Sequence, residues 1–145
     1  MAYFNCRVVG VLINDKMEIL ILKRNPNYLA QSKDDTEFIG WEFCGGGIEH
    51  DESPQDAIQR EYSEETALEV EVSHIFSARS GERSGEPLIN LCYVCKYISG
   101  SAELTDEHLD YQWVSLNELH SINMGPHGNI DKLCAIENLT LNFSR

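Results

Sequence analysis

Basic residues are scarce in this chain of 145: 11 Lys and Arg stand against 24 Asp and Glu, a formal net charge of −13. The bare surface, with a pI near 4.6, therefore offers little to a nucleic-acid backbone or an anionic membrane, whose affinity comes mainly from Lys and Arg. Long hydrophobic runs are missing too. The longest, residues 8–13 with Gly10 inside it, falls far short of the roughly 20 residues that span a bilayer. Arg7 is followed by no long apolar segment of signal type, so no secretory leader is read and a cytoplasmic location is expected. Cysteine is sparse and odd in number: Cys6, Cys44, Cys92, Cys95 and Cys134 suit free thiols better than a disulfide framework. Two glycosylation sequons, at 138–140 and 142–144, carry no meaning without secretion. Repeats, low-complexity tracts and linkers are absent, which leaves one domain over residues 1–145 as the expectation.

What is present can build a core, since 42% of the residues are hydrophobic. Residues 4–14 and 17–24 read as β-strands joined by a tight hairpin at Asp15-Lys16. A polar, turn-rich loop follows over 26–40. Ser53 and Pro54, a good N-cap followed by the residue favoured at the first helical position, open a helix running to about Thr66. Residues 69–76 and 88–98 read as strands, with 79–87 as a loop carrying Arg79 and Arg83. A short strand over 111–114 and a helix over 129–137 complete an α/β or α+β domain with a mixed sheet. Cys92 and Cys95, three apart on a strand, point to opposite faces and do not chelate together. The five histidines show no ligand spacing and read as surface or loop residues.

The acidic charge is concentrated. Between Glu42 and Glu65 there are eight acids and one base, Arg60, so 1 − 8 = −7 of the −13 lies in this stretch. On a helix, Glu61, Glu64 and Glu65 share a face. Such a face is either simply solvated or covered by a hard divalent cation, which takes oxygen ligands. Just upstream, Gly45-Gly46-Gly47 lets backbone approach a ligand closely and leaves its carbonyl oxygens accessible.

Written as a pattern, residues 46–68 are Gly46, five residues, Glu52, seven residues, Arg60-Glu61-Tyr62-Ser63-Glu64-Glu65-Thr66-Ala67-Leu68. This resembles the Nudix box, Gly-x5-Glu-x7-Arg-Glu-U-x-Glu-Glu-x-Gly-U, with U a bulky apolar residue. Every charged position matches. Ala67 replaces the final glycine, and Cys44 stands where many MutT-like relatives have proline; Cys44 reads as an oxidisable or a packed thiol. The stretch 106–114, an acidic loop leading to Trp113, is similar to the region that supplies MutT-like enzymes with a further glutamate, which places Glu107 at the matching position.

The resemblance implies the Nudix fold, a mixed β-sheet sandwiched between helices, and Mg²⁺- or Mn²⁺-dependent hydrolysis of a nucleoside diphosphate linked to another group. Carried over residue by residue, the metal ligands are Glu61, Glu64 and Glu65 with a carbonyl of Gly45 or Gly46. The general base is Glu107 or one of Glu61 and Glu64. Arg60 and Glu52 support the ligands by pairing with neighbouring carboxylates. Arg24, ending the second strand, is a candidate for substrate contact. Asn129 sits near where MutT-like enzymes place a base-reading asparagine, or else caps a helix. The most favoured substrate is a nucleoside triphosphate, ordinary or oxidised; ADP-ribose, nucleotide sugars and dinucleoside polyphosphates are alternatives, as is a non-catalytic nucleotide-sensing module. The expected partner is thus a small nucleotide derivative rather than nucleic acid or membrane, with a homodimer in keeping with the family.

Overall fold

The computed structural model describes residues 4–29, 39–83 and 85–143. Its strands and helices are β1 (Asn5–Ile13), β2 (Ile19–Arg24), α1 (Pro26–Leu29), β3 (Trp41–Glu42), β4 (Cys44–Gly47), α2 (Pro54–Thr66), β5 (Glu69–Arg83), β6 (Glu86–Ser99), β7 (His108–Val114), α3 (Leu116–His120) and α4 (Gly125–Phe143). One mixed seven-stranded sheet runs β3-β2-β1-β6-β5, with β4 paired to β1 and β7 to β2; β1 and β6 are parallel and the other pairs antiparallel. Among the described residues no helix is long and apolar enough to cross a membrane.

The strand period of two sorts the apolar residues onto two faces. Val8, Leu12, Leu20 and Leu22 pack with Ile58 and Tyr62 of α2, whereas Val11, Ile13, Ile19 and Ile21 pack with Ala135, Ile136 and Leu139 of α4. A central sheet covered on both sides explains why these strands read as nearly unbroken hydrophobic runs. Cys92 and Cys95 do fall on opposite faces: Cys95 belongs to the cluster beneath α2, while the Cys92 thiol donates to Asp131 of α4.

The functional end of the fold comes from a fork. β1 pairs with β2 only at Ile13↔Ile19; the first half of β1 pairs instead with β4, and the end of β2 with β3. Residues 41–47 therefore lie between the diverging strands. Gly45 permits this, because a Cβ there would overlap the Val8 carbonyl oxygen. The glycine run is thus a short strand rather than a free loop.

Helix α2 begins at the Ser53 cap, whose hydroxyl accepts from Asp56 N at 3.1 Å, and ends at Thr66. Ala67 adopts the left-handed conformation (φ 59°) that the usual glycine would take more readily, and its N–H reaches Ser63 O at 3.1 Å. The helix seats closely on β1: Tyr62 Oη donates to Gly10 O at 2.7 Å.

Several element limits differ from the sequence reading. β5 continues through Arg83, so Arg79 and Arg83 are strand residues rather than loop residues, held there by pairing with β6 as far as Arg83↔Glu86. β7 starts at His108, and α4 starts at Gly125 instead of residue 129. The first hairpin has a longer turn, in which Asn14 Oδ1 accepts from Lys16 N and Glu18 N. Of the expected 26–40 loop, residues 30–38 lie outside the described residues, and 26–29 form α1.

Candidate functional site

Arg60, on the exposed side of α2, is the hub of the acidic segment. Its Nε donates to Glu52 Oε2 at 2.7 Å and its Nη2 to Glu52 Oε1 at 3.0 Å, a two-pronged pairing. Nη2 also donates to Gly47 O at 3.0 Å, and Nη1 reaches Glu61 Oε1 at 3.0 Å and Glu64 Oε2 at 3.2 Å. One guanidinium thus ties the 47–52 turn to the helix and gathers two of its carboxylates. The hydrogen bond from Arg60 holds the Glu52 carboxyl below the ordinary glutamate range, and the same contact pushes the guanidinium up.

One helical turn on, Glu65 is buried, 6% exposed. The Cys44 thiol donates to Glu65 Oε2 at 2.8 Å, and Glu61 and Glu107 both lie within hydrogen-bonding contact of the Glu65 carboxyl. Burial, followed by the repulsion of Glu107 and Glu61, pushes the Glu65 carboxyl up to about 10. Burial also raises Glu61 and the Cys44 thiol. The Glu61 carboxylate rests on Gly46, where a Cβ would come within 2.7 Å of Glu61 Cδ. Three carboxylates meeting in a partly dry place are unfavourable alone and become favourable around a divalent cation. Glu64, more exposed, meets the group through Arg60.

Beside this cluster opens a cavity of about 380 Å³. Arg24, Glu42, Gly45 and Glu107 line the end near the carboxylates, and Arg79, Asn90 and Asp131 line another part of its wall. The chain has six arginines, and Arg7, Arg24, Arg79 and Arg83 all face this space, whereas no lysine among the described residues does. Four acids, Glu42, Glu82, Glu107 and Asp131, line it as well, so the chamber is balanced in charge within a strongly acidic protein.

Glu42 joins two of the wall residues: Oε2 accepts from Arg24 Nη1 at 3.0 Å and Oε1 from His108 Nε2 at 2.7 Å. Donor atoms of Glu42, Glu107 and His108 all lie within 4.8 Å of one another. His108 is buried rather than superficial, because the register that sets it opposite Arg24 turns its ring inward. Neither Glu42 nor His108 stood out in the sequence, since their meeting depends on strand pairing.

Glu52, Arg60, Glu61 and Glu64 thus form one connected group, Glu61 rests on Gly46 and with Glu107 crowds the Glu65 carboxyl, and Arg24 and Glu107 share the cavity wall with Gly45. Asn129 is the exception. It lies inside α4, its Oδ1 accepting from Met124 N at 2.8 Å and its Nδ2 donating to Asn123 Oδ1 at 2.9 Å, so its side chain closes its own helix entry and lines no part of the cavity. Asp131, two residues on, lines it instead.

The model of the NUDIX domain matches residues 5–133 of this chain. The chain belongs to the Nudix family. This Nudix domain is 27% identical over 112 residues to a "MutT-like protein" of Streptomyces ambofaciens, a match covering 77% of this chain and 64% of that protein, under two thirds of its length. It is 30% identical over 99 residues to the "CTP pyrophosphohydrolase" of Escherichia coli (strain K12), covering 68% of this chain and 73% of that one. The crystal structure of the MutT protein from Methanosarcina mazei Go1 shares the fold, with a TM-score of 0.75 at 24% identity over 94% of this chain and 95% of that one.

Proposed function

We propose that this Nudix domain is a Mg²⁺- or Mn²⁺-dependent pyrophosphohydrolase that cleaves a nucleoside triphosphate, ordinary or oxidised, to the monophosphate and pyrophosphate. The observation that carries this reading is the buried Glu65 carboxyl, crowded by Glu61 and Glu107, beside an arginine-lined cavity. The names of the MutT-like and CTP pyrophosphohydrolase relatives support it.

The chemistry of the donor set fits a hard divalent ion: carboxylate oxygens with a backbone carbonyl close by. Glu61, Glu64 and Glu65, with a carbonyl of Gly45 or Gly46, would hold it. When bound, such an ion neutralises diphosphate charge and makes the attacking water more acidic. Arg60 and Glu52 keep the ligands in place by the forked pairing that ties turn to helix. Glu107, or one of Glu61 and Glu64, takes the proton from water, and Arg24, held by Glu42, meets the phosphates.

Nucleotide products should be separated and quantified over a panel of nucleoside triphosphates, ADP-ribose, nucleotide sugars and dinucleoside polyphosphates, with pyrophosphate followed as well for the triphosphates, in Mg²⁺, in Mn²⁺ and in excess chelator. Metal-dependent turnover of triphosphates supports the proposal. No turnover of any compound would end it, and turnover of ADP-ribose alone would reassign the substrate.

A further inference from the structure

We infer that Asp131, with Asn90 and Arg79 beside it, forms a base-reading subsite that selects nucleobases carrying an exocyclic amino group over uracil and thymine. This rests on the nucleotide-hydrolase reading above. Strand register sets Arg7 of β1 opposite Asn90 of β6, and Asn90 opposite Arg79 of β5. Residues paired in this way project from the same face of a sheet. The three therefore form one polar row across the floor of the cavity on the α4 side, and Asp131 comes down onto it from α4.

Asp131 is buried, 5% exposed, although it lines the cavity. Its two oxygens are used unequally. Oδ1 accepts from Arg79 Nη2 at 2.9 Å, from Arg79 Nε at 3.2 Å and from the Cys92 thiol at 3.3 Å. Asn90 Nδ2 lies 3.5 Å from Oδ1 and 3.4 Å from Oδ2, and that second contact is the only one Oδ2 makes among the described residues. Good bonds of this kind are about 2.7–3.2 Å, so Oδ2 has acceptor capacity left. A carboxylate only accepts; it welcomes an amino group and repels a carbonyl. Cytosine and uracil differ at position 4 in this respect, amino against carbonyl. Arg79 also donates to His127 O at 3.2 Å, which fixes the carboxylate's neighbour to the start of α4 and holds the row rigid. A site built to accept a hydrogen bond rejects the analogue that cannot give one, because its own polar group is left unmatched.

The test is a matched pair. For the wild-type chain, kcat/KM for CTP should exceed that for UTP at least about tenfold. In Asp131→Asn, whose amide can turn its NH₂ toward a carbonyl, the ratio should fall to about threefold or less, with thermal melting confirming a folded protein. Binding of CMP and UMP to the wild-type protein, followed by calorimetry without turnover, gives a second readout, with CMP the tighter ligand. Equal kcat/KM for CTP and UTP in the wild type, a ratio unchanged in folded Asp131→Asn, or equal binding of CMP and UMP would overturn the inference. A chain that hydrolyses nothing but binds CMP over UMP would fail as a hydrolase and still support the subsite.

Discussion

The Cys44 thiol donates its hydrogen to Glu65 Oε2 across 2.8 Å, from a strand to a helix, with both side chains buried. A thiol is a weak donor. It leaves the Glu65 carboxylate poorly compensated among Glu61 and Glu107, so the metal-free fold carries an electrostatic cost at this point.

Glu65→Gln removes the ionisable group, and with it the cost of holding that carboxyl protonated well above the ordinary glutamate range, without changing shape. The metal-free variant should melt a few degrees higher than wild type at pH 8, and an upward shift expected of the wild type on adding Mg²⁺ should shrink or vanish in it. Activity should fall roughly a hundredfold or more if Glu65 belongs to the proposed ligand set, since a ligand charge is then lost. Differential scanning with and without Mg²⁺, alongside turnover, separates the two effects; an undiminished Mg²⁺ shift would remove Glu65 from the ligand set.

Arg60→Lys keeps the charge but loses the fork that grips Glu52 through two nitrogens while reaching Gly47 O and Glu61. Activity should drop about 10–100-fold, with the metal concentration for half-maximal rate rising in step. Wild-type behaviour in both measurements would make the hub a surface ornament.

The same pairing has a pH signature. The Glu52 carboxyl is lowered in the folded chain by Arg60, so its contribution is fully present above the ordinary glutamate range and is lost as pH falls through the lowered value. Urea unfolding from pH 7 down to pH 3 should show wild type losing stability more steeply on the acid side than Glu52→Gln. Parallel acid limbs would contradict this.

Gly10→Ala tests how closely α2 is seated. An added Cβ would stand 2.6 Å from Tyr62 Cε2 and 3.1 Å from Ile58 Cγ2, so the helix must shift outward. Overpacking of this kind costs about 1–3 kcal/mol, readable as a lower urea midpoint. Because α2 carries Glu61 and Glu65, activity should fall with it.

Ala67→Gly should act the other way. The left-handed backbone at Ala67 (φ 59°) costs a residue with a Cβ roughly 1–2 kcal/mol, and glycine gives back part of that in the unfolded chain, for a net gain of about 0.5–1 kcal/mol. A lower urea midpoint would show that αL strain is not what this position stores.

Sequence carried the α2 region almost to the residue, because its limits are local: a Ser53 cap, Pro54 behind it, and a left-handed stop at Ala67. The box glutamates can be picked out because their spacing is written along the chain, and Glu107 because the stretch 106–114 resembles the family's acidic loop; the structure sets Glu61 and Glu107 about Glu65. What sequence missed depends on pairing between distant strands. Ser80 and Gly81 look like turn residues, yet β5 stays extended through them because β6 supplies its partners, and the turn falls later, at Gly85. His108 is buried by its register with β2, and Asp131 enters the cavity because α4 starts four residues before the expected point, inside a Gly-Pro-His-Gly run that reads as a turn. The Ser115–Glu118 capping box that starts α3 is local too, and is legible along the chain.

Between the splayed strands β1 and β2, consecutive residues Phe43 and Cys44 belong to opposite hydrophobic clusters, one beneath α4 and one beneath α2. The backbone there is stitched through the sheet from one side to the other. Cys44 touches a box glutamate while Phe43 lines the cavity. The two ends of the site are therefore a single mechanical piece, one peptide bond apart: ordering the carboxylate side also sets the wall against which a base would lie.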